Sequence, residues 1–407
     1  MHRSIKRLGV PAVATVLGAA SLGGVASAAT SHTTHTPRVK PVTYTIAYEG
    51  PLSGGNQQLG LNMAYAVELA IKQANAGTTF GRLPFKLAYQ AADDQGSPTQ
   101  SPTTAQRLID NKSVIAVVGP ALSSATKAAE PLFHRAHLAT VSPSATLPVL
   151  AKSGWNNFFR VVSDDNAQGP ADAEFAVKKL HAMSIYTVDN ASAYAVGLVS
   201  AFDSKAKQLG AKVTHLEAPG TGQCQAGNGH AQQYGALATK IVSSKATAMF
   251  YGGFYCDFAL LAKSLRAAGY KGVLMSDDGS LDPRYVAHAG ASVANGTYLS
   301  CACTNIGNSP RDEAFASAFK KLAGFPIGTY SAEAYDATNT VIEALKKLGT
   351  HASRAAVIAE LHHVTYPGLT KTVHFQPDGN LAGSTVYEYE VKKGTIVELG
   401  MVSQLVK

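Results

Sequence analysis

Two short stretches, residues 119–126 (GPALSSAT) and 141–146 (VSPSAT), constrain this 407-residue chain more than any others. Each follows an apolar run that reads as a parallel strand, residues 114–118 (VIAVV) and 137–141 (HLATV), and each leads toward a helix-like pattern. A parallel strand needs a crossover, usually a helix, before the chain rejoins the same sheet. The hydroxyl-rich turns therefore place Ser123, Ser124, Ser144 and Thr146 where strand C-termini meet helix N-termini. Unpaired backbone N–H groups and the positive end of a helix dipole converge there, so a carboxylate is a natural guest. One such turn alone reads as an ordinary N-cap. Two in one lobe, at the sheet edge where open α/β folds bind ligands, read as a site.

The same alternation runs through most of the chain. Strands are expected over 42–48 and 85–91, with helices from about 61 and over 103–110. In the first helix Leu61, Tyr65 and Leu69 recur at helical spacing on one face. A second series follows, with strands at 185–188, 213–218, 246–251 and 273–275 and helices near 170–180, 196–209, 233–242 and 258–268. After a strand at 296–300 the alternation loosens into two helices, 331–348 and 353–363, and three closing strands at 372–375, 385–390 and 396–398. Strand–helix units of this size predict doubly wound, mainly parallel sheets. The chain is too long for one core, so two α/β lobes with a ligand cleft between them are expected.

Residues 1–7 (MHRSIKR) are basic, residues 8–25 are apolar, and Ala26-Ser27-Ala28 follows. These are the parts of a secretory leader cut after Ala28. No cysteine lies near that site, which argues against a lipid anchor, and residues 29–41 read as a disordered lead-in. No later stretch has the roughly 18 uninterrupted apolar residues of a membrane span. The net charge of +8 is diffuse, without a basic stripe interleaved with aromatics, so no nucleic-acid partner is expected. Cys224, Cys256, Cys301 and Cys303 make an even set, which in an oxidising compartment predicts two disulfides with three pairings open. Their spacing is not that of a structural zinc site.

Four further segments join the hydroxyl turns. Residues 189–197 (DNASAYAVG) follow a strand and project Tyr194, residues 251–255 (YGGFY) end another and carry Phe254, and residues 275–279 (MSDDG) offer Asp278. Residues 161–169 (VVSDDNAQG) read as a crossing between lobes. An anion shelf on one lobe and an acid with aromatic rings on the other suit a zwitterionic amino acid. In order and spacing these segments, from residues 46–54 (IAYEGPLSG) to the closing strands, resemble the leucine/isoleucine/valine-type substrate-binding proteins of ABC transporters.

That resemblance implies the type I periplasmic-binding fold, with two Rossmann-like lobes, a three-stranded hinge and a ligand buried by lobe closure. It divides the chain into 42–161 plus 302–384 and 162–301 plus 385–407. By position, Ser123 and Thr146 would hold the ligand carboxylate with N–H support around Ser124. Ser144 would accept from the ammonium through its carbonyl, Asp278 would be the acidic partner, and Tyr194 and Phe254 would lie against the ligand. Well-studied members have Glu where this chain has Asp278, a Tyr at Phe254, an aromatic near Leu59, and a first-lobe disulfide that it lacks. The resemblance implies an exported, monomeric receptor without cofactor that delivers an amino acid to an ABC permease. A sensory receptor of the same fold, or a binder of amides or sugars, are the alternatives. A hydrolase is disfavoured because no nucleophile–base–acid set can be assembled, and Asp93-Asp94 and Asp164-Asp165 read as turn formers or caps.

Overall fold

The computed structural model describes residues 41–224, 230–304 and 309–407. The leader, the cut after Ala28 and the lead-in up to residue 40 lie outside them.

Two sheets organise the body. In the first, β1 (Thr43–Gly50), β2 (Lys86–Asp93), β3 (Val114–Val118), β4 (Ala139–Ser142) and β5 (Phe158–Arg160) run parallel in the order β2-β1-β3-β4-β5. Every position of β3 is buried, as expected of a strand covered on both faces. The second sheet holds β6 (Ser184–Asp189), β7 (Lys212–Glu217), β8 (Ala248–Gly252), β9 (Val273–Ser276) and β10 (Tyr298–Cys301), all parallel. A small ribbon of β11 (Thr365–Pro367) and β12 (Thr372–His374) follows, and β13 (Tyr387–Lys392) and β14 (Thr395–Met401) then extend the second sheet antiparallel. Its order is β14-β13-β10-β9-β8-β6-β7.

Helices fill the crossovers. The first series has α1 (Gln57–Asn75), α2 (Ser101–Asp110), α3 (Ser123–Arg135) and the four-residue α4 (Val149–Lys152). The second has α5 (Asp165–Glu174), α6 (Ala193–Gln208), α7 (His230–Ser243), α8 (Tyr255–Ala267), α9 (Pro283–Ala289) and α10 (Ala291–Ala294). Helices α11 (Pro310–Ala323), α12 (Ser331–Leu348) and α13 (Arg354–Leu361) follow, and α14 (Val402–Leu405) packs on α5. Helices α11 and α12 return to α1, and α12 also touches β3 and β4. The chain thus leaves the first sheet after β5, returns to its helices after β10, and enters the second sheet again at β13. The fold is the α/β architecture of mainly parallel sheets that the alternation predicts.

Two details depart from expectation. The apolar pattern marks no helix over 310–323, because α11 buries only Phe315 and Phe319. Its start is nevertheless written locally: the Ser309 hydroxyl accepts from the Asp312 N–H, the Asp312 carboxylate accepts from the Ser309 N–H, and Pro310 stands at the first position. The second hydroxyl turn does not open a helix of useful length. Pro143 and Pro148 disfavour helical backbone at the residues before them, so helix begins only at Val149 and lasts one turn. A helix dipole therefore supports the first turn alone.

The cysteines pair as Cys224–Cys256 and Cys301–Cys303. Among the described residues no helix is long and apolar enough to cross a membrane.

Candidate functional site

The hydroxyl turns are stitched to each other. Ser142 Oγ donates to the Pro120 carbonyl at 2.8 Å and accepts from the Ala145 N–H, while Ser144 Oγ donates to the Ala121 carbonyl at 2.7 Å. In return Ser123 Oγ accepts from the Leu147 N–H at 3.3 Å. Ser123 is buried at the first position of α3, whose opening N–H groups lack helical partners. The wall is therefore neutral, built of hydroxyls and amides.

On the second sheet Asp278 opens a single 3₁₀ turn, Asp278–Ser280, just beyond β9. Gly279 is required there, because a β-carbon would collide with the carbonyl oxygen of Gly253. Three donors converge on the Asp278 carboxylate. Tyr194 Oη reaches Oδ1 at 2.6 Å from the start of α6, and Gln168 Nε2 reaches the same oxygen at 2.8 Å from α5. Tyr330 Oη reaches Oδ2 at 2.6 Å. Burial pushes the Asp278 carboxyl above the ordinary carboxylate range, and the three donors oppose that push.

Tyr330 precedes α12 with φ +67°, a left-handed conformation unusual for a bulky side chain. Its bond to Asp278 joins a helix packed on α1 to the edge of the second sheet. No local motif marks Tyr330 or Gln168. They lie 52 and 110 residues from Asp278, and only the fold brings them to it.

One cavity lies between the two walls, lined by Leu59, Met63, Leu122, Ser123, Ser144, Tyr194, Phe254, Asp278, Gly279 and Tyr330. Five of the seven residues singled out in the sequence, Ser123, Ser144, Tyr194, Phe254 and Asp278, meet there. Ser124 does not line it. Its hydroxyl accepts from the Ala193 N–H at 3.1 Å, linking α3 to α6 across a wider outer crevice of about 940 Å³. Thr146 lines neither space: it is fully buried, and its hydroxyl faces the Asp165 carboxyl. The inner cavity measures about 20 Å³, near what one water molecule needs. A larger solute does not fit this space as it stands.

Donors on one wall and a carboxyl on the other suit a solute with a negative and a positive end. The remaining surface, Leu59, Met63, Leu122 and the Phe254 ring, suits an apolar remainder. Among the described residues no group of three or more His, Cys, Asp or Glu side chains is arranged to hold a metal ion.

Known proteins share this architecture. A leucine-, isoleucine-, valine-, threonine- and alanine-binding protein of Pseudomonas aeruginosa is 26% identical over 350 residues, covering 85% of this chain and 90% of that protein. The Leu/Ile/Val-binding protein homolog 3 of Brucella melitensis is 25% identical over 321 residues, covering 78% and 83%. In fold, the chain matches the branched-chain amino acid transporter substrate-binding protein LivJ of Streptococcus pneumoniae, solved with isoleucine. The TM-score is 0.77 at 24% identity, over 88% of this chain and 99% of that one. The leucine-binding protein LivK of Thermotoga maritima gives the same TM-score at 22% identity, over 88% and 98%. The description "Periplasmic binding protein" belongs to the family model that matches residues 43–395, from the first residue of β1 to the first of β14. Both walls and every residue lining the cavity fall inside that span, and the chain belongs to this family of periplasmic binding proteins.

Proposed function

We propose that the protein captures a free α-amino acid between its two walls outside the cytoplasm and passes it to an ABC permease. The ligand carboxylate lies on the N–H groups that open α3 and on the Ser123 hydroxyl, and the Ser144 carbonyl accepts from the ammonium. The ammonium points to Asp278, and the side chain packs on Leu59, Met63, Leu122 and Phe254. The observation that carries this reading is a single carboxyl facing a hydroxyl shelf across an otherwise apolar cavity. The relatives named for leucine, isoleucine and valine support it.

Closure is the working motion. Residues 42–161 with 302–384, and 162–301 with 385–407, part and rejoin as units. The contacts re-formed on closing are Ala193 N–H to Ser124, Tyr255 Oη to the Gly55 carbonyl at 2.6 Å, and Tyr330 to Asp278. The ligand drives closure because it touches both walls only in the closed form. Hydrogen bonds to charged groups contribute about 1.5–3 kcal/mol each. Four of them, less the loss of freedom on binding, suit micromolar affinity near −8 kcal/mol. The receptor acts as a monomer, with its leader removed after Ala28.

A thermal-shift screen against L-amino acids, simple amides and hexoses tests this reading. An amino acid at about a hundred times its Kd should add roughly 2.7 kcal/mol and raise Tm with concentration. Stabilisation by sugars or amides alone would refute it.

A further inference from the structure

Behind Asp278 lies a set of acids that the proposed ligand never touches. Helix α5 turns one buried face toward it, carrying Asp165, Gln168 and Asp172 at positions i, i+3 and i+7. Gln168 Nε2 donates both to Asp278 and, at 3.0 Å, to Ser300 Oγ on β10. Ser300 stands opposite Glu388 in the β10–β13 register, and Asp172 faces Ser300, Asp278 and Glu388. Asp165 faces Asp278 from the same helix, and Asp277 adjoins it, accepting from the Gly253 N–H at 2.8 Å. Both carboxyl oxygens of Glu388 lack a hydrogen-bond partner, and Asp165 and Asp172 are faced only by the hydroxyls of Thr146 and Ser300, neither of which forms a well-aligned bond.

The surroundings supply little positive charge. Arg160 and Asp164 face Asp165, but the guanidinium is already engaged by Asn380 at 2.7 Å, by the Ala145 and Leu147 carbonyls, and by Asp164 at 3.3 Å. Tyr194 and Tyr330 approach Asp278 as phenols, Tyr298 lies beside Glu388, and Glu333, beyond Tyr330, is faced by Lys371. Among the described residues these acids form no metal site. Isolated carboxylates are too costly to keep in a dry interior, and such groups neutralise instead.

We propose that Asp278, Asp172, Glu388 and Asp165 share protons in the free protein, and that a ligand ammonium arriving at Asp278 expels one of them. The O–H of a carboxyl breaks and its proton passes to solvent, while the ammonium keeps all three of its own. Burial, the largest cause, pushes all four carboxyls above their ordinary range. The positive charge of the ammonium lowers their proton affinity, so a proton is released on capture. Binding therefore tightens as pH rises between the proton affinities of the bound and the free protein, and is level outside that interval. This inference rests on the ammonium sitting at Asp278.

Calorimetry of the full mature chain with L-leucine, L-valine and L-alanine in buffers of different ionisation enthalpy tests it. Titrations repeated across the pH range should show up to about one proton leaving per ligand within that interval, with affinity rising there as much as about tenfold per pH unit. In the shape-preserving double variant Asp172→Asn/Glu388→Gln, neither residue touches ligand, and fewer protons should leave over the same pH range. Binding of any of the three without proton transfer in the wild-type protein would overturn the inference and leave the amino-acid reading standing. An equal proton count in wild type and double variant would also overturn it. If neither these three nor any other L-amino acid of the thermal-shift screen binds, the placement of an ammonium at Asp278 falls, and this inference with it.

Discussion

The two walls of the cavity are built from different materials. On the first, Ser123, Ser142 and Ser144 bond the two turns to each other, and these contacts all lie within residues 120–147. The stitching of that wall is complete within one short segment of the chain. On the second, Asp278 receives Gln168 from α5, Tyr194 from α6 and Tyr330 from just before α12, a helix packed against α1. The acid wall is therefore finished only by residues from distant parts of the chain. A shelf of dipoles needs no counter-charge, whereas a buried carboxylate is tolerable only with donors around it.

The sharpest way to break this comparison is to remove the acid. Asp278→Ala should weaken amino acid binding by about 2–5 kcal/mol, because the ammonium would be buried without a partner. Calorimetry measures the loss, and an unchanged cooperative melting transition would show that the fold survives. Affinity close to wild type would take Asp278 out of the site and leave the neutral wall to do the binding alone.

The same contrast explains what could be read from the sequence. The shelf is local: an apolar run, a glycine–proline turn and two serines lie within the eleven residues 114–124, so Ser123 was legible from pattern and turn chemistry. Ser144 was legible as a hydroxyl after a strand, but the helix expected behind it was not there, because Pro143 and Pro148 govern that backbone. The acid wall is long-range. Asp278 could be singled out from the order of segments, yet Gln168 and Tyr330 come from 110 and 52 residues away, and periodicity carries no information about such meetings. Asp165 looked like a turn former beside Asp164. The two prove different: Asp164 caps α5 by accepting from the Asn166 N–H, whereas Asp165 is fully buried. Helix α11 was legible in principle from Ser309, Pro310 and Asp312, because caps are local even where the apolar face is thin.

A smaller effect should come from the neutral wall. Ser123→Ala removes one hydroxyl from the proposed carboxylate contact, and the loss should be about 1.5–3 kcal/mol at most. Backbone N–H groups remain to share the charge, so the change should be smaller than that at Asp278. Because Ser123 also accepts from the Leu147 N–H, the melting temperature should fall slightly in the absence of ligand as well. A loss of affinity equal to that of Asp278→Ala would mean that the two walls bear equal weight and that the shelf depends on one hydroxyl.

The smallest effect should fall on the contact that joins the walls. Tyr330→Phe keeps the ring in the cavity and removes only the hydroxyl that donates to Asp278 Oδ2. That donor favours the ionised carboxylate, so its loss moves the Asp278 proton affinity further up. The sign follows directly: a carboxylate that holds its proton to higher pH is available to an ammonium only at higher pH. The acid limb of the binding curve should therefore shift upward. Above that limb the affinity should fall by no more than about 1.4 kcal/mol, a factor of ten, because the freed oxygen can accept from the ammonium instead. Dissociation constants measured across the pH range for wild type and variant decide the point. A shift toward lower pH, or an unshifted curve, would mean that Tyr330 closes the cavity without tuning the acid it touches.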